Sequence, residues 1–401
     1  MRRLLTLEDL DLSTLRGRRV FVRVDYNVPF KDGRVLDVQR LEESLPTLRE
    51  LIAAGGRILL ASHCGRPKGE PNPRYSLRPV AGTLAELLGS AVSFAEDSVG
   101  GAAERAAAAL FDGGVCLLEN LRYHAGEEKN DPAFVDALMA LIGPRGVYVD
   151  DAFGSAHRAH ASVVGVAARS ASKAAGRLLV REVVALSRLL DSPEKPFAAL
   201  LGGAKIEDKI DTLENLLPRL DCLMVGGGMA NTFLAARGLD LKDSLFERDR
   251  LDLAREILVR AAAQGTEVLL PNDLVVTDDL GAPRRIEVVA VDAIPGGMKA
   301  VDIGPATRER FAAAIARART LFWNGPLGVF EKPPFDAGTR AAADAVGQCA
   351  GWTVAGGGET IAAARQAGVL GQLGHVSTGG GAALEFLAGK TLPGVAILER
   401  E

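Results

Sequence analysis

Cysteine is scarce in this chain, and long apolar runs are missing. The 401 residues include four cysteines, Cys64, Cys116, Cys222 and Cys349. They lie far apart with no Cys-x-x-Cys pair, so neither a disulfide framework nor a thiolate zinc site is indicated. Thiols dispersed in this way fit a cytoplasmic protein. No segment approaches the ~20 apolar residues of a membrane span. Met1-Arg2-Arg3 leads through Leu4–Leu7 straight into Glu8-Asp9, too short an apolar run for a secretion signal. A strong excess of one charge is also lacking. The formal net charge is −4, so nucleic acid is not the expected partner. The balance is uneven, with 25 Lys+Arg against 23 Asp+Glu in residues 1–190 and 22 against 28 in residues 191–401. Internal repeats and low-complexity segments are absent.

What is present is glycine at particular places. Gly226-Gly227-Gly228, Gly356-Gly357-Gly358 and Gly379-Gly380-Gly381 each follow a short apolar or β-branched run, and two lead into helix starts. Glycines between a strand and a helix let backbone N–H groups approach an anion, which the helix terminus favours. Three such loops indicate a phosphate or nucleotide surface in an open α/β sheet. Strands expected at Arg19–Val24, Arg57–Ala61, Val115–Leu118, Gly146–Val149, Phe197–Leu201, Asp221–Val225, Glu267–Leu270, Thr320–Trp323 and Gly351–Val354 alternate with helical patterns. That alternation indicates parallel sheets covered on both faces, with ligands beyond the carboxyl ends of the strands. A helical stretch, Ala174–Leu190, followed by Asp191-Ser-Pro-Glu-Lys-Pro196, reads as a joint between two similar α/β domains.

Charged residues follow the strands of the first half: Asp25 and Asn27 with Arg40 beyond, His63 and Arg66, Arg122, and Arg158. If the strand ends share a rim, four guanidiniums converge, each able to grip carboxylate or phosphate with two parallel bonds. Arginine supplies 36 of the 47 basic residues, so one arginine alone would read as a solvated surface residue. His157 and His160 lack a third ligand at metal spacing, and Asp150-Asp151 suits loop capping better than a cation. In the second half, Gly202-Gly203-Ala204-Lys205 follows a strand, with Lys209 at i+4 on the same expected helix face. Both lysines suit a nucleotide's phosphates, or are ordinary exposed lysines. Asn324-Gly325-Pro326 to Glu331 forms a rigid loop that suits a ribose or base edge, or is a structural turn. Glu359 after a triplet could hold Mg²⁺ or simply cap a helix. Gly389-Lys390-Thr391 fails as a P-loop because Leu384 stands where glycine is required, and no triplet completes GxGxxG.

Arg23-Val-Asp-Tyr-Asn-Val-Pro29, Ser62-His-Cys-Gly-Arg-Pro-Lys-Gly69, Leu118-Glu-Asn-Leu-Arg122, Asp151–His160, Gly202–Lys205, Gly226–Ala230, Trp323–Phe330 and Ser377–Gly381 together resemble phosphoglycerate kinases, in the family's order. The resemblance implies an α/β fold of two doubly wound parallel-sheet (Rossmann-like) lobes, three-layer α/β/α, joined by a helix hinge. It implies a 3-phosphoglycerate lobe at 1–173, a hinge at 174–196, a MgATP/MgADP lobe at 197–384, and a segment 385–401 returning to the first lobe. Carried over by position, Asp25, Asn27, Arg40, His63, Arg66, Arg122 and Arg158 would hold 3-phosphoglycerate. Gly203, Ala204, Lys205, Lys209, Gly226, Asn324, Pro326, Glu331, Gly358, Glu359 and Thr360 would hold the nucleotide, with Glu359 at Mg²⁺. Arg40, Lys205 and the amides of Gly357, Gly358, Gly380 and Gly381 would act on the transferred group. The expected protein is a cytoplasmic monomer without nucleic-acid or membrane partners. Three departures stand out: Cys64 where an aliphatic residue is frequent, Glu207 where a small one is, and Glu359 in place of Asp, which bears on the metal geometry.

Overall fold

The computed structural model describes residues 3–400. The chain divides into two compact units, the first formed by residues up to Val184 together with those from Thr391, the second by Ala185–Lys390. The division falls inside a single helix, Arg177–Asp191.

The first unit is built on six strands, β1 (Arg19–Val24), β2 (Arg57–Ala61), β3 (Val92–Ala95), β4 (Val115–Leu118), β5 (Val147–Asp151) and β6 (Ser172–Ala175). They pair in parallel in the order β3-β4-β2-β1-β5-β6. β1, β2, β4 and β5 are buried along almost their whole length because helices cover both faces of the sheet. Val20, Val22, Leu60, Leu117 and Val149 meet Leu41, Leu48 and Leu84 of helices Gln39–Ala53 and Arg78–Leu88 in one core. The loops with the expected anion-binding residues follow β4, β2, β1 and β5. These are four adjacent strands, so parallel pairing alone brings the loops to one edge.

The second unit contains β7 (Phe197–Leu201), β8 (Cys222–Val225), β9 (Glu267–Leu269), β10 (Asp273–Thr277), β11 (Ile286–Ala290), β12 (Lys299–Ile303), β13 (Thr320–Asn324), β14 (Trp352–Gly356) and β15 (His375–Ser377). Six of them form a parallel sheet in the order β9-β8-β7-β13-β14-β15. This is the 3-2-1-4-5-6 order of a doubly wound fold. The other three form an antiparallel sheet, β11-β10-β12, which the alternating strand-and-helix pattern did not anticipate.

The helix expected at Ala174–Leu190 is corrected by the structure. Ala174 and Ala175 belong to β6, paired with Val149 and Asp150, and the helix starts at Arg177. Asp151 Oδ1 accepts from the amides of Leu178 and Leu179 at 2.8 and 3.2 Å, which supplies the acceptors that a helix start lacks. The paired aspartates are therefore caps, Asp150 Oδ1 likewise accepting from Ala152 N at 2.9 Å.

Candidate functional site

In the first unit, strand carboxyl ends assemble a basic cluster around one buried imidazole. His63 is 6 % exposed. Burial pushes its pKa well below the usual value, and Arg23, Arg122, Arg158 and Arg40 push it the same way. The ring is therefore neutral, and arginines of β1, the helix after it, and the loops after β4 and β5 are all close enough to act on it. Arg122 is 4 % exposed. Its pKa falls to about 10 through burial and then the like charge of Arg158. Arg122 donates to the Gly65 carbonyl at 2.7 Å and has Glu128 3.2 Å from its Nε. Arg158 Nε donates to His157 Nε2 at 3.1 Å. His160 has its pKa lowered to about 3, by burial first and then by Arg122, Arg23 and Arg158. Guanidiniums crowded in this way raise the local positive potential and suit an anion.

Arg40 is held by Asp25 at 2.6 Å, which sets its position at the start of helix Gln39–Ala53 and offsets part of its charge. Asn27 Oδ1 accepts from Gly65 N at 2.9 Å, pinning the loop after β2 against that after β1. Arg66 differs from the others. It is exposed and makes no ion pair or hydrogen bond among the described residues.

Sequence reasoning passed over Arg23, Glu127 and Ser162, all buried beneath this cluster. The one visible signal is Arg23 itself, a charge that interrupts an otherwise apolar strand. A cavity in this unit, of ≈ 480 Å³, is walled by Pro71, Glu96, Asp97, Glu119, Tyr123 and His124, and none of the expected residues lines it.

In the second unit, the loops after β8, β7, β13 and β14, again adjacent strands, surround a cavity of ≈ 510 Å³. Gly203, Ala204, Pro326, Glu331 and Glu359 line it, together with Gly227 and Gly228. The triplet after β8 is also a packing device. A Cβ at Gly226 would lie 2.5 Å from Leu327, at Gly227 2.7 Å from the Gly203 carbonyl, and at Gly228 2.7 Å from the Ala204 carbonyl. Gly226 N and Gly227 N donate to Leu201 O and Leu327 O at 2.9 and 3.0 Å, so these two amides are occupied within the fold. The other triplets are more open, although a Cβ at Gly357 would lie 2.9 Å from Asn324 Nδ2. A Cβ at Gly358, Gly380 or Gly381 would meet nothing within 4 Å. The helices beginning at Gly358 and Gly381 leave their first amides without intrahelical acceptors.

Lys205 and Lys209 do not share a helix face. Residues Glu207–Lys209 form a 3-10 turn, and the helix starts only at Ile210. Lys205 is exposed. Lys209 folds inward, donating from Nζ to the carbonyls of Gly202 and, at 2.9 Å, Asn324. Burial lowers its pKa to about 8, while Glu359 and Asp208 oppose the shift. Asn324 and Thr360 also tie loops together. Asn324 Nδ2 donates to Gly356 O at 2.6 Å, and Gly325 N donates to Thr360 Oγ1 at 2.7 Å.

The far wall of the cavity comes from residues not anticipated: Asn231, Phe246, Leu274, Lys299, Val301 and Asp302. Four of them, Leu274, Lys299, Val301 and Asp302, lie on β10 and β12 of the antiparallel sheet. Asp302 accepts from Ile303 N and Gly338 N at 2.9 and 2.6 Å. Among the described residues, no group of three His, Cys, Asp or Glu could hold a metal ion. Glu359 is one exposed carboxylate at the cavity edge. It therefore fits a cation that brings its other oxygen ligands with it.

A family model described as phosphoglycerate kinase matches residues 7–390. A phosphoglycerate kinase of Moorella thermoacetica is 52% identical over 394 residues, covering 98% of each chain. One of Thermus thermophilus is 54% identical over 396 residues, covering 98% of this chain and 99% of the relative. The solved structure of phosphoglycerate kinase from Coxiella burnetii superposes with a TM-score of 0.88 at 40% identity, covering 99% of both chains. Among the described residues, no helix is long and apolar enough to cross a membrane.

Proposed function

The chain belongs to the phosphoglycerate kinase family of phosphotransferases, and on that premise we propose how its residues divide the work. The reaction is reversible transfer of a phosphoryl group between ATP and the carboxylate of 3-phosphoglycerate, giving 1,3-bisphosphoglycerate and ADP. The observation that carries the assignment of the first unit is the convergence of Arg40, Arg122 and Arg158 on a neutral His63. A substrate bearing both a phosphate and a carboxylate matches several guanidiniums better than a simple carboxylate does. Asp25, Asn27, Arg40, His63, Arg66, Arg122 and Arg158 hold it. Exposed and unpaired, Arg66 is free to turn toward the ligand's phosphate.

MgATP or MgADP occupies the cavity of the second unit. Its base and ribose lie between Gly203, Ala204, Gly226, Pro326 and Glu331 on one side and the antiparallel sheet on the other. Lys209, Asn324 and Thr360 hold the loops in register, and Gly358 with Glu359 meets the phosphates. When Mg²⁺ is bound with the nucleotide, it neutralises phosphate charge, and Glu359 is the side chain that holds it.

The acceptor carboxylate is already ionised at neutral pH, so no general base is needed. The protein's contribution is positioning and charge stabilisation. Arg40, Lys205 and the amides of Gly357, Gly358, Gly380 and Gly381 supply donors to the transferred group. Because the two substrates bind different units, transfer requires closure, with residues 174–196 and 377–381 as hinges. Free, dispersed cysteines and small-molecule substrates agree with a cytoplasmic monomer. A coupled assay with MgATP and a panel of carboxylates tests the reading. Turnover with 3-phosphoglycerate above all others is expected, and its absence would overturn the assignment.

A further inference from the structure

Beneath the basic cluster, Arg23 is 1 % exposed, yet it belongs to neither substrate set above. Its Nε lies 2.8 Å from Ser162 Oγ, and one terminal nitrogen lies 3.1 Å from His63 Nδ1 and 3.3 Å from Ser155 Oγ. The other terminal nitrogen meets the Val24 carbonyl. Ser162 sits between Arg23 and Glu127, with its hydroxyl 2.6 Å from Glu127 Oε1 and its amide 3.0 Å from Oε2. Glu127 is fully buried. Ser162 is the second residue of a single π-helical turn, Ala161–Gly165, a rare conformation that often marks a functional segment.

The proton directions in this chain follow from chemistry. A guanidinium has five donors and no acceptor. Ser162 Oγ therefore accepts from Arg23 and spends its one proton on Glu127. For the same reason, His63 Nδ1 accepts from Arg23. The ring is neutral, because burial and four arginines oppose a charge there. Its single proton is then on Nε2, on the side of the ring away from Arg23.

We propose that Arg23 is a positioning residue of the substrate site, held by Ser162 and Glu127 so that it locks His63 as the Nε2–H tautomer with one fixed donor for the bound anion. The proposal rests on the reading that His63 faces 3-phosphoglycerate. A free imidazole would offer the substrate either a donor or an acceptor, and an acceptor facing a phosphate or carboxylate is repelled. The buried relay removes that second state before the ligand arrives. It also gives Glu127 a purpose, as the carboxylate that keeps a desolvated guanidinium in place.

The test combines a spectrum with a mutant cycle. In the ¹⁵N-histidine-labelled full chain, assigned with the His63→Gln variant, His63 Nδ1 should resonate as a pyridine-like nitrogen and Nε2 as a protonated one. The pattern should persist from pH 6 to 8. A reversed or averaged pattern overturns the proposal even if the enzyme turns over 3-phosphoglycerate normally. The expected pattern without such turnover would instead overturn the functional reading. Arg23→Lys keeps the charge but loses the planar fork, and should raise KM for 3-phosphoglycerate about tenfold, the scale of one lost charge-assisted hydrogen bond. In the His63→Gln background, the same change should raise KM by less than about twofold, since Arg23 acts through His63. Equal effects in both backgrounds would reduce Arg23 to a general source of charge. If Arg23→Lys does not fold, the wild-type spectrum alone still decides.

Discussion

Two glycines of similar sequence context should respond in opposite ways to the same added methyl group. Gly227 has φ +65°, and its Cβ would lie 2.7 Å from the Gly203 carbonyl and 3.1 Å from Gly203 N. Both contacts are backbone and cannot swing aside. The left-handed conformation costs an L-residue ~1–2 kcal/mol and overpacking costs ~1–3 kcal/mol. Alanine's smaller unfolded-state entropy returns ~0.4–1 kcal/mol, leaving Gly227→Ala destabilised by about 1–4 kcal/mol. At ~2–4 °C per kcal/mol for a domain of this size, the second unit should melt roughly 2–16 °C lower. Gly358, at the first position of its helix, has nothing within 4 Å of its Cβ. Alanine there is a better helix former by ~0.5–1 kcal/mol, so Gly358→Ala should melt at or slightly above the wild-type temperature. It should nevertheless lose at least ~10-fold in turnover, because the methyl group stands where backbone must approach phosphate. Both tryptophans, Trp323 and Trp352, lie in the second unit, so their fluorescence follows that unit's transition without interference from the first. A Gly227→Ala protein melting within 1 °C of wild type, or a Gly358→Ala protein destabilised as much as it, would refute this division of the triplets.

Other consequences are open to measurement. Lys205 is exposed and, among the described residues, unpaired, so Lys205→Ala should leave the melting temperature unchanged while lowering kcat by at least ~10²-fold; near-normal turnover would remove it from the mechanism. Arg40→Ala should cost a similar factor, measured in the same coupled assay. Lys209 has a pKa of about 8 and is an ammonium below that value, so MgADP affinity by calorimetry should weaken between pH 7 and 9. Lys209→Met should flatten that dependence, and an unchanged slope would show that another group is responsible. His160 has its folded pKa lowered to about 3 from 6.5. The unfolded chain therefore binds the extra proton between those values, and this residue's contribution to stability is lost as pH falls from 6.5 toward 3, by up to ~1.4 kcal/mol per pH unit. Its imidazole NMR shift should stay flat down to pH 5; a titration near 6.5 would contradict the buried, arginine-flanked setting.

The sequence conveyed strands well where they are buried on both faces. β1, β2, β4 and β7 have the bounds their apolar runs suggest, since both sheet faces must be covered. Ala174-Ala175 reads as the start of a helix because alanine favours one, but pairing with β5 and a bridge from Thr6 to Ala175 override that preference. Leu274-Val-Val-Thr277 and Ile286-Glu-Val-Val289 carry clear β character, yet a scheme of alternating strands and helices has no place for an antiparallel insertion. The far wall of the nucleotide cavity was therefore out of sight. The anion cluster was legible because strand-end loops of a parallel sheet must share an edge. Its foundation was not, because a buried Arg23–Ser162–Glu127 relay joins residues up to 139 positions apart with no local signature.

The first unit is not continuous in sequence. Leu5 N donates to Leu398 O at 2.8 Å, Arg400 N to Arg3 O at 2.9 Å, and Gly394 N to Ala156 O at 2.8 Å. A Cβ at Gly394 would lie 2.8 Å from Val163 and 2.9 Å from Ala156, so the end of the chain presses on the segment that carries Arg158 and His160. Residues 391–400 therefore act as a brace for part of the first unit supplied from far along the chain, and deleting them should loosen the segment around Arg158 and His160 while residues 185–390 keep their own contacts.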